Sequence, residues 1–469
     1  MRFAAFAAAL VAAIGLAGCG GGPQAPAGAD ALVIYSPHSD EIRQEFTEAF
    51  QAWYRKETGR EVAVSWPNAG GGTDILKLLE DKFRAGRFDI DLVYGGGPIF
   101  DQMKQLGMLQ PCRLPEDVLA AVPKTVAGQP LYDPDFTWYG AAISTFGLIY
   151  NKTIIADKGL PPVKDWQALA DPAFFGLVGA GDAARSASVR KAYEIILQAY
   201  GYERGMRILV LMGAGASEFY SSSSEIPRDC AKGLIALGPC IDFYAFRQMR
   251  SEGGRNLGFL APSGLTVVTC DPIGVLRSAP HPEAARAFVE FVMRPEGQRL
   301  WMLPAGAPGG PRLFTLERLS ILPSLYEEPT AKDAGERLDP FKVAPPPFYD
   351  TAKENDRQVI LADYLRVALV ENHAALAGAW KAIITAGAPE NLVAELTRPL
   401  ISEDEMRRFG REVWTPVLVP SRATAEERAS LTRREEERQR KKSDLMAAWG
   451  AAVRERYAAL AKVTASTAR

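Results

Sequence analysis

ALVIYSPHSDEIRQEFTEAFQAWYRKETGREVAVSWPNAGGGTDILKLLEDKFRAGRFDIDLVYGGGP, residues 31–98, carries the pattern that decides the fold. ALVIYS (31–36) is an apolar run that predicts a strand. Over 40–56, Ile42, Phe46, Phe50 and Trp53 recur at helical spacing, and EVAVSW (61–66) is a second strand. Gly70-Gly71-Gly72 leads into Thr73, a candidate N-cap, after which Ile75, Leu76, Leu78 and Leu79 continue as a helix. IDLVYGG (90–96) is a third strand, ended by glycines. The order β-α-β-α-β predicts a parallel sheet with crossover helices.

The rhythm continues outward from this stretch. A proline-bearing loop region occupies 111–135, and TWYGAAISTFGLIYNK (137–152) reads as a long strand. FGLVGAG (175–181) is a short strand followed by a serine-bearing loop and a helix over 186–200, and LTVVTCDPIGVL (265–276) is a further strand region. HPEAARAFVEFVMRPEGQRLWM (281–302) reads as one helix with Ala284, Phe288, Phe291 and Val292 on one face. Residues 31–302 are an α/β unit large enough for two lobes. From 303 to 350 the chain is rich in Pro and Gly and looks irregular; 351–386 reads as helix, as does 424–463, whose start carries a Thr424–Glu427 capping-box pattern. Arg433 to Lys442 places nine charges in ten positions, so that part is expected to be solvated helix and not core.

Among 469 residues, 47% are hydrophobic and 23% charged, which excludes a wholly disordered chain and a many-span membrane protein. With 54 Lys+Arg against 56 Asp+Glu, the formal charge of -2 provides no general field for nucleic acid. The apolar run from Phe3 to Leu16 is shorter than the about 20 residues a spanning helix needs and suits the core of a secretory signal. Leu16-Ala17-Gly18-Cys19 resembles a bacterial lipoprotein box. Residues 1–18 are therefore expected to be a signal peptide, Cys19 a lipid anchor and 19–30 a flexible tether. Cys112, Cys230, Cys240 and Cys270 admit three complete pairings, of which Cys230–Cys240 is the favoured local bridge.

Small polar residues follow the strand ends repeatedly: Ser36-Pro37-His38, Gly70–Thr73, Gly95-Gly96-Gly97, and Arg185-Ser186-Ala187-Ser188 after 175–181. In open α/β sheets ligands sit beyond the carboxyl ends of the strands, where backbone N–H groups and helix N-termini favour anions. Asp242 and Tyr244, in IDFYAF, add an acceptor and a phenol; Trp138-Tyr139 either stack on a ligand or pack. Of the three histidines, His38, His281 and His373, only His38 lies on a strand-end loop. GxSxG, HExxH, P-loop and GxGxxG patterns are all missing from the sequence, so a catalytic centre is not indicated.

Several segments resemble bacterial extracellular solute-binding proteins of the ferric-iron, thiamine and aminoethylphosphonate branch: the 31–50 opening, FDIDLVYGGGP, WYGAAISTFGLIYNK, DWQALADPAFFGLVGAGDAARSASV and, most specifically, HPEAARAFVEFVMRPEGQRLWM. The resemblance implies an α/β two-lobe periplasmic binding protein of type II with a helical C-terminal extension. Lobe 1 would be 31–142 and 268–325, lobe 2 143–267 and the extension 326–469, with hinges at 140–150 and 265–275. The protein would be a non-catalytic, monomeric, periplasmic or cell-surface lipoprotein that delivers a solute to an ATP-binding cassette permease. It would carry no cofactor and touch the membrane only through its anchor. The implied binding residues are Ser36, His38, Gly71, Thr73, Gly96, Gly97, Arg185, Ser186, Ser188, Asp242 and Tyr244. Iron-binding members have two adjacent tyrosines where this chain has Phe243-Tyr244. Ferric iron held through His38 and Tyr244, or a small oxyanion or phosphonate, are the candidate solutes. An exported enzyme, or a sensory or assembly module on the same scaffold, is the alternative.

Overall fold

The computed structural model describes residues 28–97, 99–251, 254–329, 338–344, 346, 348–415, 417 and 424–467. The signal peptide, Cys19 and most of the tether lie outside the described residues, as does the side chain of Thr73. Among the described residues no helix is long and apolar enough to cross a membrane.

The first half of the chain runs β1 (Asp30–Tyr35), α1 (Asp40–Thr58), β2 (Val62–Ser65), α2 (Gly72–Arg84), β3 (Leu92–Tyr94), α3 (Ile99–Gln105), α4 (Glu116–Ala121), the short hairpin β4 (Thr125–Val126) and β5 (Gln129–Pro130), β6 (Tyr139–Asn151), α5 (Lys152–Asp157), β7 (Val178–Gly181) and α6 (Ala187–Tyr200). It continues with α7 (Tyr202–Gly215), β8 (Ala216–Tyr220), α8 (Glu225–Ala231), β9 (Leu237–Ile241), α9 (Asp242–Arg250), β10 (Leu257–Leu260), β11 (Val268–Val275), α10 (Pro282–Met293) and α11 (Pro295–Met302). The extension holds α12 (Thr351–Leu365), α13 (His373–Thr385), α14 (Glu390–Thr397), α15 (Glu403–Phe409) and α16 (Ala425–Thr467).

β1 pairs in parallel with β2 and β3, as the β-α-β-α-β pattern predicts, and β11 pairs antiparallel with β3. The two lobes share β6. Its first residues, Tyr139 to Thr145, pair with β11 of lobe 1, whereas Phe146 to Tyr150 pair with β9 of lobe 2 and 148–151 with β10. β9, β7 and β8 complete the second sheet in parallel. Every residue of β6 except Tyr150 is buried, which is why its sequence shows no alternation. At the crossing, Thr145 Oγ1 donates to Val267 O (3.1 Å) and Thr266 Oγ1 to Phe146 O (2.7 Å), so the outgoing and returning segments are stitched together.

Five expectations change. Gly71, not Thr73, is the N-cap of α2. The 281–302 helix is two helices, because Arg294 precedes Pro295 and takes an extended conformation (ψ 160°). The helix over 351–386 is interrupted by a π-turn over Arg366–Val370. Cys112, Cys230, Cys240 and Cys270 are all free thiols; Cys230 and Cys240 share an apolar cluster with Ile226, Ile235 and Leu257 without bonding. The charged stretch of α16 is not wholly solvated: Arg438 is buried and donates to Val413 O.

The extension shares the core of lobe 2. Leu361, Leu365 and Leu369 join Leu209, Ile196 and Val210 there, and α16 adds Trp449, Val453, Tyr457 and Leu460. Trp449 stacks on Trp414 (5.5 Å between ring centroids) and meets Tyr364 edge-on (5.3 Å). Trp449→Ala should therefore destabilise the whole protein by about 3–5 kcal/mol, seen as a lower midpoint in denaturant; an unchanged midpoint would show that the tail is peripheral.

Candidate ligand-binding site

The carboxyl ends of β1, β3 and β7 face a cleft of about 1010 Å³ between the lobes. On the lobe 1 side the wall is organised by Asp271. β11 has a register shift between Asp271 and Pro272, where proline lacks an N–H, and such bulges re-aim side chains. Asp271 Oδ2 accepts from Arg318 Nη2 (3.1 Å) and lies 3.0 Å from His38 Nε2, while Oδ1 accepts Gly96 N (3.1 Å). Three loops thus converge on one carboxylate. Burial alone would raise the Asp271 carboxyl, but the hydrogen bonds and charges of His38 and Arg318 hold it well below the usual carboxylate range. Gly95 and Gly96 have φ of 84° and 105°, and a Cβ on Gly95 would stand 2.8 Å from His38 Nε2, so glycine is needed for both backbone and close approach. The Arg318 guanidinium also lies 4.5 Å from the ring centre of Phe243, linking lobe 1 to α9 of lobe 2.

On the lobe 2 side the loops after β7 and β8 form a hydroxyl network. Ser186 caps α6 by accepting Val189 N (3.4 Å). Its Oγ lies 3.3 Å from Ser188 Oγ, which is 2.8 Å from Ser223 Oγ. Arg185, Arg190, Lys191 and Arg247 face the same space. Arg190 donates to Ala183 O (3.3 Å) and Lys191 pairs with Glu354, but Arg185, Arg190 and Arg247 form no ion pair among the described residues. Burial pulls the Arg190 guanidinium below its ordinary value, the mark of a cation partly removed from water.

Of the residues the sequence suggested, His38, Gly96, Gly97, Arg185, Ser186, Ser188 and Tyr244 line the cleft. Three do not. Ser36 is buried beneath it, its Oγ accepting His38 N (3.0 Å); Gly71 gives way to Gly72. Asp242 starts α9 instead of facing a ligand, and its carboxylate accepts Thr145 N (2.8 Å) and Phe243 N (2.7 Å) at the lobe crossing. His38 Nε2 is engaged by Asp271, and Tyr244 packs on Phe243 (4.3 Å between ring centroids). Among the described residues, no three His, Cys, Asp or Glu side chains cluster as metal ligands would. Trp138 lines the cleft, whereas Tyr139 is buried and donates to Cys112 O (2.8 Å).

Sequence reasoning missed Ser221–Ser224, Arg190, Lys191, Arg247, Asp271, Arg318 and the contribution of α12. The serine run follows the strand-end rule, but its strand, ASEFY (216–220), is too short and polar to be recognised. Nothing local marks Arg318 or α12, which reach the cleft only through the path of the chain.

Residues 89–311 match the family model described as bacterial extracellular solute-binding protein. Over that stretch the chain is similar to this family. The phosphoglycerate transport regulatory protein of Salmonella typhimurium is 30% identical over 164 residues, 35% of this chain and 40% of the relative, so the match spans well under half of that protein. The Fe(3+)-binding periplasmic protein of Serratia marcescens is 23% identical over 64% of this chain and 86% of its own. In fold, the chain is similar to the apo ferric ion-binding protein A of Pasteurella haemolytica, with a TM-score of 0.54 and 12% identity over 72% of this chain and 98% of that one.

Burial pushes the Asp242 carboxyl up to about 7, hydrogen bonds from Thr145 and Phe243 notwithstanding. A carboxyl raised in the folded state stabilises fully below its unfolded value of about 3.9 and loses that contribution as pH rises through the folded value. The stability of the wild type relative to Asp242→Asn should fall between pH 5 and pH 7 by about 1 kcal/mol per unit, read by chemical denaturation. A pH-independent difference would show that Asp242 is ionised throughout.

Proposed function

We propose that this chain captures a small oxyanion-bearing solute between its lobes and delivers it to an ATP-binding cassette permease. The observation that carries the reading is the unpaired guanidinium set of Arg185, Arg190 and Arg247 beside a network of serine hydroxyls. Guanidinium forks bind phosphate and carboxylate oxygens in bidentate fashion, and hydroxyls complete the shell without bulk. A bare ferric ion suits the site less well, because Phe243 stands beside Tyr244 where a second phenol would be needed and the guanidinium groups of Arg185, Arg190 and Arg247 line the same cleft.

Closure follows from the same geometry. An anion seated on Arg185 and the serines of lobe 2 is completed by Gly96, Gly97 and His38 of lobe 1, so it binds the closed form better than the open one and shifts that equilibrium. Only the closed form would dock productively on the permease.

Arg185→Ala should weaken inorganic phosphate more than tenfold by titration calorimetry; unchanged affinity would remove Arg185 from the site. The lipid anchor belongs to the same proposal: Cys19→Ala should move the protein from the membrane fraction to the soluble one, and retention in the membrane would argue against the anchor.

A further inference from the structure

We infer that the C-terminal extension is a third wall of the cleft, and that Asn355 and Gln358 on α12 select the uncharged, hydroxyl-bearing part of an organic anion; this rests on the oxyanion reading above. Glu354, Asn355 and Gln358 face the same space as Arg185 and Ser188. Their spacing of three and four residues puts them on one face of α12.

That face is held firmly against lobe 2. Asp350 N donates to Gln198 Oε1 (2.6 Å) while Gln198 Nε2 donates to Asp350 O (3.0 Å), closing a reciprocal pair between α6 and the start of α12. Lys191 Nζ donates to both oxygens of Glu354 (2.8 Å each). One turn on, Arg357 is buried in a fork on Glu194, with its third nitrogen on Glu403 (2.6 Å). α6 also carries Ser186 and Ser188 at its N-terminus, so the anion-binding loop and α12 form one rigid wall.

The chemistry changes along this wall. At the serine end the cations are unpaired. At the α12 end Lys191 is neutralised by Glu354, so it offers no free cation to a second negative group. Asn355 and Gln358 make no side-chain hydrogen bond to any described residue. A free amide donates and accepts, as a hydroxyl does, so the pair matches an alcohol and not a second charge. A cleft of about 1010 Å³ is also far larger than an inorganic anion needs. The selected class is therefore a hydroxylated organic anion with its charge at one end.

The test is calorimetry on the full chain with two probes, glycerol 3-phosphate and inorganic phosphate. Wild type should prefer glycerol 3-phosphate at least tenfold. Asn355→Ala combined with Gln358→Ala should erase the preference while leaving inorganic phosphate affinity and melting temperature unchanged. Arg185→Ala should weaken both probes. A wild type without the preference, or a preference surviving the double substitution, overturns the role of α12 alone. A wild type that binds neither probe overturns the oxyanion reading beneath it.

Discussion

A single strand belonging to two sheets is the constraint on which the rest of this structure depends. β6 leaves β11 after Thr145 and joins β9 at Phe146, so the lobes are separate in their cores yet continuous in backbone hydrogen bonding. Ser144 and Phe146, on either side of this changeover, line the cleft. Two threonine hydroxyls and the buried carboxylate of Asp242 satisfy the backbone groups that the divergence would otherwise strand. A buried unpaired amide costs about as much as a lost hydrogen bond, so these side chains stabilise the changeover.

Charge is handled differently on the two sides of the cleft. Lobe 1 uses the cleft carboxylate Asp271 to order its own loops through His38, Gly96 and Arg318. Lobe 2 leaves its guanidinium groups unpaired and surrounds them with hydroxyls. One wall is preorganised and nearly neutral; the other is cationic and in need of a partner. On the proposed reading an anion would satisfy the second and then be covered by the first, a division of labour that needs no catalytic group.

Much of the fold was legible because strands buried on both faces and amphipathic helices leave strong patterns, as ALVIYS, EVAVSW and TWYGAAISTFGLIYNK show. The breaks were harder. Arg294-Pro295 splits a helix whose apolar face continues on either side, and the π-turn after Leu365 leaves the apolar spacing almost untouched. Among the residues that line the cleft, His38, Gly96, Gly97, Arg185, Ser186 and Ser188 are legible from the strand-end rule, because loops after parallel strands open onto it. Asp242 and Ser36 follow the same rule but hold backbone N–H groups of the scaffold, at Thr145 and His38. Arg318 and α12 were invisible to any local rule: they come from chain distant in sequence that folds back over the cleft, and the charges that marked α16 as surface gave no sign that its far end is embedded with lobe 2.

The claim that protein cations and hydroxyls alone hold an oxyanion in this cleft is tested most directly by equilibrium dialysis of chelator-treated protein against radiolabelled phosphate, with the chelator present throughout. Saturable retention of one phosphate per chain is the expected result. Retention that appears only when ferric iron is supplied would contradict the account.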